Sequence, residues 1–183
     1  MEGADATVQD ERDPDIRQPS SRHRCTPRPL SALRELLGRF GIDLAVHPEN
    51  GHLPGSFWGE PEAGIVGSTL HLRPDTPVHS ALHEACHLIC MDPARRAGAH
   101  TDAGGDDLEE SAVCRLQVLL ADHLPGIGRA ALMDDMDAWG YSFRLGSTRA
   151  WFQSDSEDAD AWLRRHGLIA PDGSVRFRTR GQP

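Results

Sequence analysis

The chain has no lysine: all 19 of the basic residues among its 183 are arginine. That excludes Schiff-base chemistry on a lysine amine and any phosphate-binding loop built around a lysine. No stretch approaches the roughly 20 apolar residues of a membrane-spanning helix. The opening, MEGADATVQDERDPD, lacks the apolar segment of a secretory leader. Cysteine is sparse: Cys86 and Cys90 lie one helical turn apart, Cys114 is distant and Cys25 sits in a polar stretch, so no disulfide framework is visible. These absences lead us to expect a cytoplasmic chain with no membrane partner. Positive charge is also short. A formal net charge of -9 argues against general nucleic-acid binding, because phosphate contacts need a clustered basic surface.

The length suits one domain with tails. A mean hydropathy of -0.48 suggests that part of the chain stays out of the core. Residues 1–29, rich in acids, arginine, Ser and Pro without apolar periodicity, read as a flexible tail. Residues 30–170 read as the domain and 171–183 as a C-terminal tail. Leu33, Leu36, Leu37 and Phe40 share one helical face ahead of Gly41. A short strand IDLAVH, a Gly/Pro-rich connection and a strand IVGSTLHLRP follow. A helix over DTPVHSALHEACHLICMDP is then expected, with Thr76 as cap and Pro77 at its first position. After a polar loop come a long helix in DLEESAVCRLQVLLADHLPG, another in GRAALMDDMDAWG and one more from Trp151 to His166.

Within the first of these later helices, His83, Glu84 and His87 fit H-E-x-x-H. Histidines at i and i+4 fall on one helical face and can bind a single zinc ion. The glutamate sits about 100° round the helix, beside that face, where it can hold and deprotonate a water on the metal. Ala81, Leu82, Ala85, Leu88 and Ile89 make the helix apolar enough to be buried, so its polar groups need partners. A metal is one such partner; ordinary hydrogen bonds are the plainer alternative.

A catalytic zinc site takes a third protein ligand and leaves one position open. No histidine follows at short spacing, since HLICMDPARR continues instead, which turns the search to the acids Glu109 and Glu110 that open the next helix. Ala112, Val113, Leu116, Leu119 and Leu120 cluster on an arc centred near Glu109, whereas Glu110 falls at its edge. An acid on the apolar face is costly without a cation, so periodicity favours Glu109 as the ligand.

These residues resemble the gluzincin metallopeptidases, most nearly the small ImmA/IrrE-type members, over about Ile65 to Leu124. There a strand precedes the H-E-x-x-H helix, and a following helix supplies a glutamate and continues with Ala and a Leu pair, here Glu109, Ala112, Leu119 and Leu120. The endings LLADHLP and Arg115-Leu116 depart from the family's usual pattern. The resemblance implies a small α+β zincin-like domain. It also implies a Zn2+-dependent hydrolase of peptide or protein substrates, with His83, His87 and Glu109 on the metal and Glu84 as general base. In the same picture GSTLHLRP is an edge strand along which a peptide lies.

His100, His123, Tyr141 and Arg144 are candidate donors to the oxyanion, Tyr141 being the one assigned a catalytic role, with packing as its alternative. His79 is a capping or solvent residue or a shell member, Asp106 and Asp107 cap the second helix, and Cys86 and Cys90 read as small buried residues. Two rivals stand beside the peptidase. One is a non-catalytic zinc-stabilised binding module, in which a cysteine or another residue closes the metal shell. The other is a zinc hydrolase of a non-peptide amide.

Overall fold

A computed structural model describes residues 22–182. It is α+β: the described residues form seven helices and one small mixed sheet of three strands. None of these helices is long and apolar enough to cross a membrane.

Helix α1 (Pro27–Gly38) begins earlier than the apolar pattern suggested, because Pro27 supplies a first helical position after Thr26. It buries Leu33, Leu36 and Leu37. Strand β1 (Asp43–Val46) runs parallel to β3 (Thr69–Leu72), and β2 (Gly64–Val66) pairs with β3 antiparallel. The expected single strand IVGSTLHLRP is therefore a hairpin. Val66 pairs with Thr69 across Gly67 and Ser68, and Gly67 takes a positive φ of 59° that suits a tight turn. The sheet order β1-β3-β2 also corrects the edge-strand expectation, because β3 is the central strand. The outer edge of β2 is itself met by neighbouring loops: Ile65 N–H donates to the Gly55 carbonyl, and Thr101 N–H to that of Ile65.

Helix α2 (Val78–Cys90) is the centre of the molecule, and every one of its residues except His83 is buried. Thr76 does not cap it; its hydroxyl accepts instead from Arg73 N–H at 2.9 Å, closing the turn out of β3. The expected polar loop contains a short helix α3 (Pro93–Ala97), capped by Asp92. Helix α4 (Asp107–Ala121) lies against α2 and is capped by Asp106, whose carboxylate accepts from Glu109 N–H at 2.8 Å. Helix α5 (Gly128–Trp139) ends in left-handed Gly140.

The single helix expected from Trp151 to His166 is two, α6 (Thr148–Ser154) and α7 (Glu157–Arg165). The cause is a clasp from α4. Arg115 donates to the Phe152 carbonyl at 2.6 Å and Ser156 Oγ donates to the same oxygen at 2.9 Å, while Arg115 also binds Asp160. The backbone turns at Asp155 and Ser156 instead of running on.

Of the expected tails, residues 22–29 and 171–182 make defined contacts with the rest of the fold; residues 1–21 lie outside the described ones. Cys25 is fully buried, its N–H donates to the Thr76 carbonyl, and Val78 N–H donates to that of His23. Buried Asp135 of α5 accepts from the N–H groups of Arg22 and His23. At the other end, Arg180 N–H donates to Ile89 O at 2.8 Å, Arg96 binds the Arg180 carbonyl, and Phe177 packs against Phe40. The last residues thus form an arm docked across the end of α2.

Candidate metal centre

His83 and His87, one turn apart on α2, point their rings toward the start of α4. Their Nε2 atoms lie 3.2 Å apart. Glu110 completes the group, with Oε1 3.2 Å from His83 Nε2 and Oε2 3.3 Å from His87 Nε2. Among the described residues this is the one cluster of three His, Cys, Asp or Glu side chains whose ligand atoms lie within 4.8 Å of one another.

The donor set fits zinc in type and in spacing. Two imidazoles and a carboxylate suit the ion. Ligand atoms about 2.0 Å from a tetrahedral centre stand about 3.3 Å from each other, which is the spacing of the two Nε2 atoms and of each Nε2 from its nearer Glu110 oxygen. The tautomers agree as well. Gln117 of α4 donates its Nε2–H to the His79 carbonyl at 2.8 Å, so its Oε1 is the atom that faces His83 Nδ1 at 3.1 Å. A carbonyl oxygen only accepts, so His83 Nδ1 carries a proton; burial lowers the His83 pKa, but Tyr141, Cys114 and Glu110 raise it well above the usual value, and a metal ion would take the place of the second proton, on the Nε2 that faces the cluster. His87 Nδ1 is buried without a partner. Burial, reinforced by the neighbouring His83, lowers the pKa of His87 to about 4 and keeps its imidazole neutral.

Glu109 is not the acid that faces the imidazoles, and this corrects the reading from periodicity. It does turn inward and is buried, but its cations are arginines: Arg95 forms a two-pronged ion pair with it, and Arg180 Nη1 lies 3.4 Å from Oε2. Glu110, half exposed on the shoulder of α4, meets α2 because the two helices pack along that shoulder.

Glu84 lies beside the triad as the motif requires. It is buried and borders a cavity of about 410 Å³ shared with His83, His87 and Glu110. Burial, against the pull of His83, raises its carboxyl to about 7. A second cavity of about 530 Å³ adjoins His83 and Glu110 on the other side, and Trp58 borders both. Phe57 and Trp58 are exposed on a loop whose root is fixed on β2 by close backbone approach. A Cβ on Gly64 would stand 2.1 Å from the Pro54 carbonyl oxygen.

Of the expected oxyanion donors, only Tyr141 borders these cavities, its ring meeting that of His83 edge to face at 5.8 Å. His100 is exposed and bonded to Thr101, His123 packs on Phe177, and Arg144 pairs with Asp155 at the surface. His79 is neither a cap nor a solvent residue: it is fully buried between Trp139 and Tyr141, both ring nitrogens lack partners, and burial lowers its pKa to about 4. Cys86 and Cys90 are buried and stand outside the triad. Two residues of the site were missed. Gln117 carried a usable signal, since it follows Glu110 by seven residues, two turns along one helical face; Glu62, on the second cavity, carried none. Comparison of the chain with protein families, curated proteins and solved structures finds no match.

Proposed function

We propose that the protein is a zinc-dependent peptide hydrolase with a zincin-like domain, in which His83, His87 and Glu110 hold the ion. The observation that carries this reading is the convergence of two imidazole Nε2 atoms, 3.2 Å apart, on the Glu110 carboxylate, one oxygen 3.2 Å from His83 and the other 3.3 Å from His87, with Glu84 directly after His83 in the chain. A zinc ion held there supplies a Lewis acid for a carbonyl oxygen and a nucleophile available at neutral pH. Glu84 accepts a proton from the attacking water and passes it to the leaving nitrogen as the C–N bond breaks. Gln117 orients His83, and Tyr141 donates its O–H to the oxygen on which negative charge develops. The two cavities meet at His83, Glu110 and Trp58. Two cavities sharing these residues on either side of the triad support a chain-like substrate over a compact metabolite.

Metal analysis tests the first half of the proposal. Protein purified without added zinc is expected to carry about one equivalent, and a His83→Ala, His87→Ala double variant none. A full complement in that variant overturns the site. Glu84→Gln is expected to keep zinc and lose peptide hydrolysis; undiminished turnover removes Glu84 from the role of base.

A further inference from the structure

We propose that the cavity on the Tyr141 side of the triad is a specificity pocket for a cationic residue, lysine or arginine, of a peptide substrate, seated between aromatic faces with Glu62 as its counter-ion. The role in substrate choice rests on the hydrolase reading; the chemistry of the pocket does not.

Four aromatic side chains, Trp58, Trp139, Tyr141 and Phe143, wall the cavity. Its acids are Glu62 and Glu110, and no arginine lines it, in a chain with 19 of them. Faces of indole and phenol rings attract an alkylammonium or guanidinium through the ring quadrupole, more strongly where water is thinned out. Glu62 is fixed for such a guest. Trp139 Nε1–H donates to Oε1 at 3.0 Å, and the Ser80 hydroxyl donates to Oε2 at 3.4 Å. Both donors are neutral, and Glu62 makes no ion pair with an arginine among the described residues. A half-buried carboxylate held by neutral donors, against aromatic walls, has no arginine beside it such as Arg95 and Arg180 are for Glu109; His83 is the positive group that acts on it. At about 530 Å³ the space admits a lysine or arginine side chain with room for the backbone at its mouth. An apolar guest would fill the walls but leave Glu62 desolvated and unpaired.

The test is a titration followed by tryptophan fluorescence, since Trp58 and Trp139 line the cavity. The probes are N-acetyl-lysine methylamide and N-acetyl-norleucine methylamide, which share a straight side chain and differ chiefly in the ammonium. Lysine is expected to bind about tenfold more tightly. Glu62→Gln, which can still accept from Trp139, is expected to abolish that preference. Trp58→Ala, at a position 70 % exposed and so tolerant of change, is expected to weaken lysine binding several-fold. Equal or tighter binding of norleucine overturns the proposal, as does a lysine preference that survives Glu62→Gln. n-Butylammonium binding as tightly as the blocked lysine reassigns the pocket to free amines and overturns the peptide assignment. Zinc content is read on the same samples. Lysine preference without zinc leaves the pocket and removes the hydrolase, and zinc without preference does the reverse.

Discussion

Gln117 sits between two turns of α2, accepting from His83 Nδ1 at 3.1 Å and donating to the His79 carbonyl at 2.8 Å. It is fully buried, so neither bond has water as a substitute. Replacing it with leucine leaves His83 free to turn and exchange tautomers. Zinc affinity is expected to fall by roughly 10- to 100-fold, the usual effect of losing a partner that orients a ligand. The His79 carbonyl keeps its helical bond within α2, but the largely buried His83 Nδ1–H loses its acceptor, which adds about 1–3 kcal/mol of destabilisation. Competition with a chelator measures the first effect and denaturant unfolding the second. Unchanged affinity would show that Gln117 does not orient the ligand.

The neighbours Glu109 and Glu110 are expected to separate cleanly by mutation. Glu110→Gln is expected to lose zinc with little change in stability, because the side chain is half exposed. Glu109→Gln is expected to keep zinc and lose about 1–2 kcal/mol, since Arg95 and Arg180 are left without their shared anion but are exposed enough to regain some hydration. Metal content and thermal unfolding of the two variants decide the matter. The opposite pattern returns the ligand role to Glu109.

That pair also shows what was legible in the sequence. Periodicity correctly turned Glu109 inward, and the reasoning that a buried acid needs a cation was sound. It could not tell that the cation is arginine from α3 and from the C-terminal arm, 14 and 71 residues away. Helix α2 and the two histidines of its motif were readable because H-E-x-x-H is local and its apolar frame is strong. The splitting of α6 from α7, the burial of Cys25 and the docking of Arg180 were not, because each depends on partners distant in sequence. Glu62 belongs to the same class: one of three acids in a Gly/Pro-rich connection, it gains meaning only when Trp139 arrives beside it.

Arg115 is expected to be the most sensitive arginine outside the site. It satisfies the Phe152 carbonyl, Ser156 Oγ and Asp160 together, and its guanidinium lies 3.7 Å from the centre of the Phe152 ring. Arg115→Ala removes all four contacts and is expected to cost about 2–3 kcal/mol. A double-mutant cycle with Asp160→Asn should return a coupling of about 1 kcal/mol or more. A coupling near zero would mean that the clasp holds through its backbone bond alone.

The loop bearing Phe57 and Trp58 can be moved without touching any residue of the triad. At Gly64 an added methyl would stand 2.1 Å from the Pro54 carbonyl oxygen and 2.5 Å from Ser56 N, both backbone atoms that cannot rotate aside. Gly64→Ala must therefore push residues 54–56 off β2, breaking the bond from Ile65 N–H to Gly55 O. Overpacking of this kind costs about 1–3 kcal/mol. Because Trp58 borders both cavities, its displacement is expected to shift the tryptophan emission and weaken binding of the lysine probe while zinc content stays at the level of the unsubstituted protein. Loss of zinc in Gly64→Ala would instead mean that the loop supports the metal centre itself, tying the two cavities and the triad into one unit.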